Sequence, residues 1–253
     1  MLSSKYYLIR VRVPVPFVYV ANPSLLMPTS LPLIATRQRL SLMLVLGASL
    51  ALSLALITAR VFVTHQLTFV FLLWNLFLAL IPFGLSMMLG LAVGPLRRGL
   101  LLPVGAVWLL FFPNAPYILT DLFHLEPRAG VPYWYDLGLI LTCAWNGLML
   151  AYASLLEMQS LVRRRFGVGL SWAFVMIALV LSSFGIYLGR YLRWNSWDVL
   201  TNPLMLFYDI LHRVLHPFAY PRTYGVTMLF SVFLLLGYIT VRQLGRLSSE
   251  DQK

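Results

Sequence analysis

The chain alternates between long stretches without a single Asp, Glu, Lys or Arg and short segments in which those residues collect. Uncharged runs occupy Leu40–Ala59, Val61–Leu96, Gly99–Thr120, Leu137–Leu156, Phe166–Gly189 and Thr223–Val241. About 20 apolar residues in helical form cover a hydrocarbon core of roughly 30 Å, and a helix satisfies its own backbone there. None of the runs shows the alternation of a barrel strand. The pattern predicts an all-α integral membrane protein with six transmembrane helices, at about 40–62, 67–93, 99–119, 136–157, 168–190 and 223–242. Pro82 should kink the second, and Pro113 with Pro116 should end or bend the third, because each proline removes a backbone donor.

Between Thr201 and Phe218 the period changes. Asn202 and Pro203 read as the start of a helix. Leu204, Phe207, Leu211, Val214 and Leu215 then fall on one side, and Asp209, His212, Arg213 and His216 on the other. A stretch so short cannot span and is expected to lie on the outer surface as an amphipathic helix at about 203–216. The first 39 residues differ again. Val13–Thr36 is uncharged, yet Pro14, Pro16, Pro23, Pro28 and Pro32 oppose a spanning helix, and no unbroken apolar core leads to a small-residue cleavage site. The expected organisation is a flexible proline-rich tail over 1–39, a membrane domain over 40–242 and a cytoplasmic tail over 243–253. Met27 offers an alternative start of translation that would shorten the first tail.

Composition supports the membrane reading: 60% of the 253 residues are hydrophobic and 11% charged, against about 25% charged in a soluble domain. The formal net charge of +11 would suggest nucleic acid in a soluble protein, but no basic face or binding motif is present, so no nucleic-acid partner is expected. Lys and Arg favour cytoplasmic loops instead. With the N-terminus inside, 13 of the 19 basic residues fall in inner segments. Both termini are therefore expected in the cytoplasm, with the protein in the cell (inner) membrane and the lipid bilayer as its partner. In that orientation Asp121, Glu126, Asp136, Asp198, Asp209 and all four histidines fall in outer segments. A polar site, if there is one, faces outward.

Four outer segments carry candidate chemistry. In FFPNAPYILTDLFHLEP, Phe111–Pro127, a proline-broken helix exposes carbonyls of the kind that line membrane binding sites. Asn114, Asp121 and His124 are its candidates, although Thr120 or Asp121 would serve equally as the cap of a short helix. Asp136, after the interfacial Tyr133, Trp134 and Tyr135, meets the positive end of a helix macrodipole. Asn146 in mid-span reads as an interhelical hydrogen-bonding group. In FGIYLGRYLRWNSWDVL, Phe184–Leu200, a helix continued past Gly189 would put Arg190, Arg193 and Trp194 on one face. The two guanidinium groups suit a phosphate or carboxylate. The alternative is snorkelling arginines in an aromatic belt, with Ser196 as the next helix cap and Asp198 in its first turn. Asp209, His212 and His216 have spacing a metal could use. No HExxH motif is present, and Asp209 with Arg213 makes an ordinary i, i+4 pair, so no metal is expected. Gly90–Gly94 and Gly185–Gly189 have GxxxG spacing, read here as internal packing. Cys143 stands alone and permits no intramolecular disulfide.

Catalytic signatures such as GxSxG, the P-loop or HExxH are absent from the sequence. FFPNAPYILTDLFHL, WYD at 134–136 and GRYLRWNSWD at 189–198 together resemble the domain of unknown function 1361, a family of bacterial multi-pass membrane proteins, over roughly Leu40–Val241. That resemblance implies a fold class but no mechanism and no cofactor. Three functions fit. The outward cluster binds or modifies a lipid headgroup or envelope metabolite, with Asp121, His124 and Asp136 as catalytic candidates and Asn114, Arg190, Arg193 and Asp198 as ligand-binding ones. Alternatively the chain is a small-solute transporter, which the lack of ionisable groups in mid-span disfavours, or a structural subunit without a site.

Overall fold

A computed structural model describes residues 31–92 and 94–250. Among them every regular element is helical: α1 (Leu31–Thr64), α2 (Phe71–Leu91), α3 (Gly94–Phe111), α4 (Asn114–Tyr117), a 3-10 segment (Ile118–His124), α5 (Tyr133–Leu192), α6 (Asp198–Thr201), α7 (Pro203–Leu215), a short 3-10 turn (Pro217–Ala219) and α8 (Pro221–Glu250). The described residues from 44 onward form one compact unit, and the described part of the other, residues 31–43, belongs to the first turns of α1. Of the flexible tail expected over 1–39, the part up to residue 30 lies outside the described residues, and residues 31–39, Pro32 included, are helical as the start of α1.

Among the described residues, five helical stretches are long and apolar enough to cross a membrane: Arg39–Thr64, Phe71–Leu91, Gly99–His124, Tyr133–Leu192 and Pro221–Gly245. The helices expected at about 136–157 and 168–190 form the two arms of α5, whose 60 residues are divided by non-helical backbone at Gly167 (φ 85°, ψ −179°). Only glycine takes that conformation without a steric penalty. The outward sides of α1 and α8 expose Leu44, Val45, Phe62, Met228, Leu229 and Leu236, an apolar surface far better covered by hydrocarbon than by water.

α5 is the centre of the fold. Its Leu139, Ile140 and Cys143 are buried in one cluster with Leu72, Leu76 and Ala79 of α2. Trp108 of α3 is fully buried between Phe112 and Phe174, with centroids at 4.6 and 5.6 Å. Its indole N–H donates to Ser154 Oγ at 2.6 Å, and that hydroxyl donates to the Pro82 carbonyl at 3.0 Å. α2, α3 and α5 are thereby tied through polar groups that hydrocarbon could not satisfy. Asn146 does join helices: its amide donates to Ser53 Oγ at 2.8 Å and to the Ser49 carbonyl at 3.0 Å on α1.

The short α4 lies between the two arms of α5, and three glycines make the room. A Cβ at Gly147 would run into the Ala115 carbonyl oxygen. One at Gly185 would stand 2.8 Å from the Pro113 ring, and one at Gly189 3.1 Å from the Tyr117 ring. The Gly185–Gly189 pair thus packs inside the chain. Pro113 and Pro116 do end α3, and α4 and the 3-10 segment follow at once.

Candidate functional site

The proline-broken segment carries the site because it turns polar residues toward two helices at once. Thr120 Oγ1 donates back to the Tyr117 carbonyl at 2.7 Å, holding the 3-10 turn. Neither Thr120 nor Asp121 caps a helix starting at Leu122, because the turn runs through both. Asp121 points inward instead, with 1% of its side chain exposed. Its Oδ2 accepts from Asn75 Nδ2 at 2.7 Å and its Oδ1 lies 3.4 Å from the Arg190 guanidinium. Arg190 also donates to the Thr120 carbonyl, stands 3.2 Å from His124 Nε2 and lies 5.2 Å from the Phe123 ring centroid. Residues of α2, the 3-10 segment and the end of α5 therefore share one charged knot.

Arg193 is not part of it. Sequence reasoning put it on the Arg190 face, but α5 ends at Leu192, and Arg193 takes a left-handed conformation (φ 62°). The following Trp194 N–H reaches back to the Leu188 carbonyl at 3.2 Å, closing the end of the helix on a left-handed residue. That reversal leaves Arg193 exposed, with no ion-pair partner among the described residues. Ser196 is not a helix cap either. It donates to the Leu110 carbonyl at 3.0 Å and accepts from Asn114 Nδ2 at 2.9 Å, closing the loop after α5 onto the end of α3.

Asp136 lies in a second buried ion pair. Arg60 of α1 meets it in bidentate fashion at 2.7 and 3.1 Å, with the side chains 1% and 2% exposed. The Phe69 ring lies 4.6 Å from the Arg60 guanidinium and 5.0 Å from that of Arg128. Sequence reasoning missed Arg60, counting it only as an outer charge. The signal was available: it is the one Asp, Glu, Lys or Arg between Arg39 and Arg97, and a lone cation in so apolar a stretch needs a carboxylate. Asn75, the one amide within α2, carried a similar signal.

Beside the Asp121 knot lies a cavity of about 270 Å³. Asn75, Asn114, Tyr117, Asn195 and Ser196 supply its polar lining, set among apolar residues that include Leu78, Pro113 and Trp194. Asn114 spends its amide donors on the Phe111 carbonyl and on Ser196, so its carbonyl oxygen is what it can offer a ligand. Asp121 and Arg190 stand one residue behind this wall, coupled to it through Asn75 and through the Tyr117 hydroxyl, 3.5 Å from Arg190.

The remaining candidates lie apart from the cavity wall. Asp198 accepts from the Asn195 backbone N–H at 2.7 Å and from Thr201 at 2.9 Å. The backbone N–H chiefly holds its carboxyl below the usual carboxylate range. Asp209 accepts from the Trp194 indole at 2.8 Å and pairs with Arg213 at 3.1 Å. His212 bonds the Tyr220 hydroxyl, and His216 Nδ1 reaches the His212 carbonyl. No three metal-ligating side chains converge among the described residues. The amphipathic α7 forms, yet Asn202 makes no side-chain cap bond and Arg213, expected on the solvated face, is buried. The Asp209 carboxylate and backbone carbonyl draw it in, and the Tyr220 ring lies 4.9 Å from its guanidinium.

Residues 74–236 match the model of the family described as protein of unknown function DUF1361, and the chain belongs to that family. No curated protein and no solved structure matches it.

Proposed function

We propose that this DUF1361 protein is a six-span membrane protein whose outward cavity binds the uncharged, hydroxyl-rich part of a lipid headgroup or a small envelope metabolite. The observation that carries this reading is the lining of the cavity: two asparagines, a serine and a tyrosine on an otherwise apolar wall, the composition of a small-molecule pocket, joined by the backbone-anchored Asn195. Binding is favoured over modification because the carboxylates that touch the cavity's lining residues are already engaged: Asp121 is buried and hydrogen-bonded through both oxygens, Asp198 is held by Asn195 and Thr201, and Asp209 by Trp194 and Arg213. A general base needs a free lone pair within reach of substrate. Amides and hydroxyls suit ligand hydroxyls, whereas the nearest cation, Arg190, is occupied by Asp121 and Thr120.

Six spans follow from counting α5 twice. Its 60 residues would extend about 90 Å as one helix, three bilayer thicknesses, and its break at Gly167 adjoins the triple Arg163–Arg165. The positive-inside bias then puts both termini in the cytoplasm. Cys143 is buried, so single cysteines can be introduced against a quiet background. Cysteines at Pro127 and Asn202 are expected to react with an impermeant maleimide in intact cells, and cysteines at Arg164 and Gln252 only after permeabilisation. Labelling of position 252 from outside would reverse the orientation and turn the cavity inward.

Ligand binding is tested through Asn114. Asn114→Leu removes the amide oxygen and fills the cavity. It is expected to lower affinity about tenfold, the equivalent of one hydrogen bond near 1.4 kcal/mol. The measurement is lipid and metabolite profiling of protein purified in mild detergent, followed by titration of whatever co-purifies. Identical co-purifying molecules at identical occupancy in wild type and variant would remove the cavity from the function.

A further inference from the structure

We propose that a second site, between α5 and α8, binds a phosphate-bearing anion. It rests on residues separate from the cavity described above and does not depend on that reading. A groove of about 530 Å³ is lined by Leu156, Gln159, Ser160, Arg163, Arg164 and Arg242. Three guanidinium groups border it, and no described Asp or Glu lines it.

A ring of arginines alone would be ordinary for a face turned to anionic headgroups. The buried Gln159 sets this one apart. Its side chain is 3% exposed, and its Oε1 accepts from the Tyr238 hydroxyl at 2.6 Å and from Arg242. A guanidinium has no acceptor, so the amide oxygen must be the atom that faces Arg242. That assignment leaves Nε2 as a donor, and Nε2 is buried without a partner. Buried donors are almost always satisfied, so an unsatisfied one in the wall of a groove marks the place for an acceptor. Arg242 is held by Gln159 and lies 4.8 Å from the Trp172 ring, fixed before any ligand arrives. Arg163 and Arg164 are exposed and have no ion-pair partner among the described residues.

Among three cations, the acceptor that gains most is an anion. A phosphate group, tetrahedral and with several oxygens, can take bonds from the Gln159 amide and from guanidiniums on two sides together. The phosphate of a phospholipid headgroup and a free inorganic or organic phosphate share that chemistry.

The test uses the full chain in neutral detergent with two probes: phosphatidylglycerol, followed by native mass spectrometry, and inorganic phosphate, followed by calorimetry. Gln159→Glu keeps an oxygen for Tyr238 and Arg242 but replaces the free donor by negative charge. It is expected to weaken binding of the phosphate-bearing probe at least tenfold with an unchanged melting temperature, and Arg163→Gln with Arg164→Gln to weaken it comparably. Retention of phosphatidylglycerol over diacylglycerol, without binding of inorganic phosphate, identifies a headgroup site. Binding of inorganic phosphate identifies a soluble ligand. Should Gln159→Glu fail to fold, the exposed double variant decides, since its loss of binding supports the site and unchanged binding overturns it. The proposal also falls if neither probe binds, or if folded Gln159→Glu binds as wild type does.

Discussion

Asp136→Ala is expected to destabilise the protein by about 3–5 kcal/mol, the cost of leaving one member of a buried ion pair without its partner. Arg60 would keep its full charge at 1% exposure, with only the Phe69 ring to face, and its Nη1 already lacks a hydrogen-bond partner. Snorkelling offers no relief, because the guanidinium is enclosed between α1, Phe69 and the start of α5. Replacing both residues separates charge from packing: Arg60→Met with Asp136→Leu is expected to recover most of the loss, since apolar pairs of similar volume often match a buried ion pair. The measurement is thermal unfolding in detergent for the two single variants and the double. A loss below about 1 kcal/mol in Asp136→Ala would mean that water reaches Arg60.

The second large effect is expected at Asp121. Asp121→Ala strands Asn75 and Arg190 together. The cost should be smaller than at Asp136, about 2–4 kcal/mol, because Arg190 keeps the Thr120 carbonyl and is 12% exposed. Asp121→Asn should fall between wild type and alanine, since one amide cannot accept from both donors while turning its own N–H₂ away from each. The two variants should also separate the knot from the cavity. Asn75 lines the cavity and takes its orientation from Asp121. Affinity for the cavity ligand should therefore fall in both variants, even under conditions where both remain folded. Unchanged affinity in folded Asp121→Asn would show that the pair supports the fold alone.

The hydrophobic runs made the helical membrane class plain from the sequence, because the length of an apolar helix is set by the bilayer and needs no knowledge of its neighbours. The break after Phe111 was equally legible, since a proline removes its backbone donor wherever it stands. The short helix α7 was legible too, but not its faces: its buried residues are Leu206 and Arg213, whereas Leu204, Phe207, Leu211, Val214 and Leu215 of the expected apolar side are exposed. Partners were another matter. Asp121, Asp136, Arg60, Arg190 and Arg193 all stand at or near the ends of uncharged runs, and spacing cannot say which carboxylate meets which cation. Packing decided it: glycines at 147, 185 and 189 let the α4 segment enter between the arms of α5, bringing Asp121 to Arg190. The approach of α1 to the start of α5 gave Asp136 to Arg60. One backbone reversal at residue 193 then carried the remaining arginine away. Local rules act within a turn or two of helix and can be read along the chain. An ion pair joining residues 69 or 76 positions apart depends on how closely whole helices approach, and that is set by side-chain volumes that meet only in the folded protein.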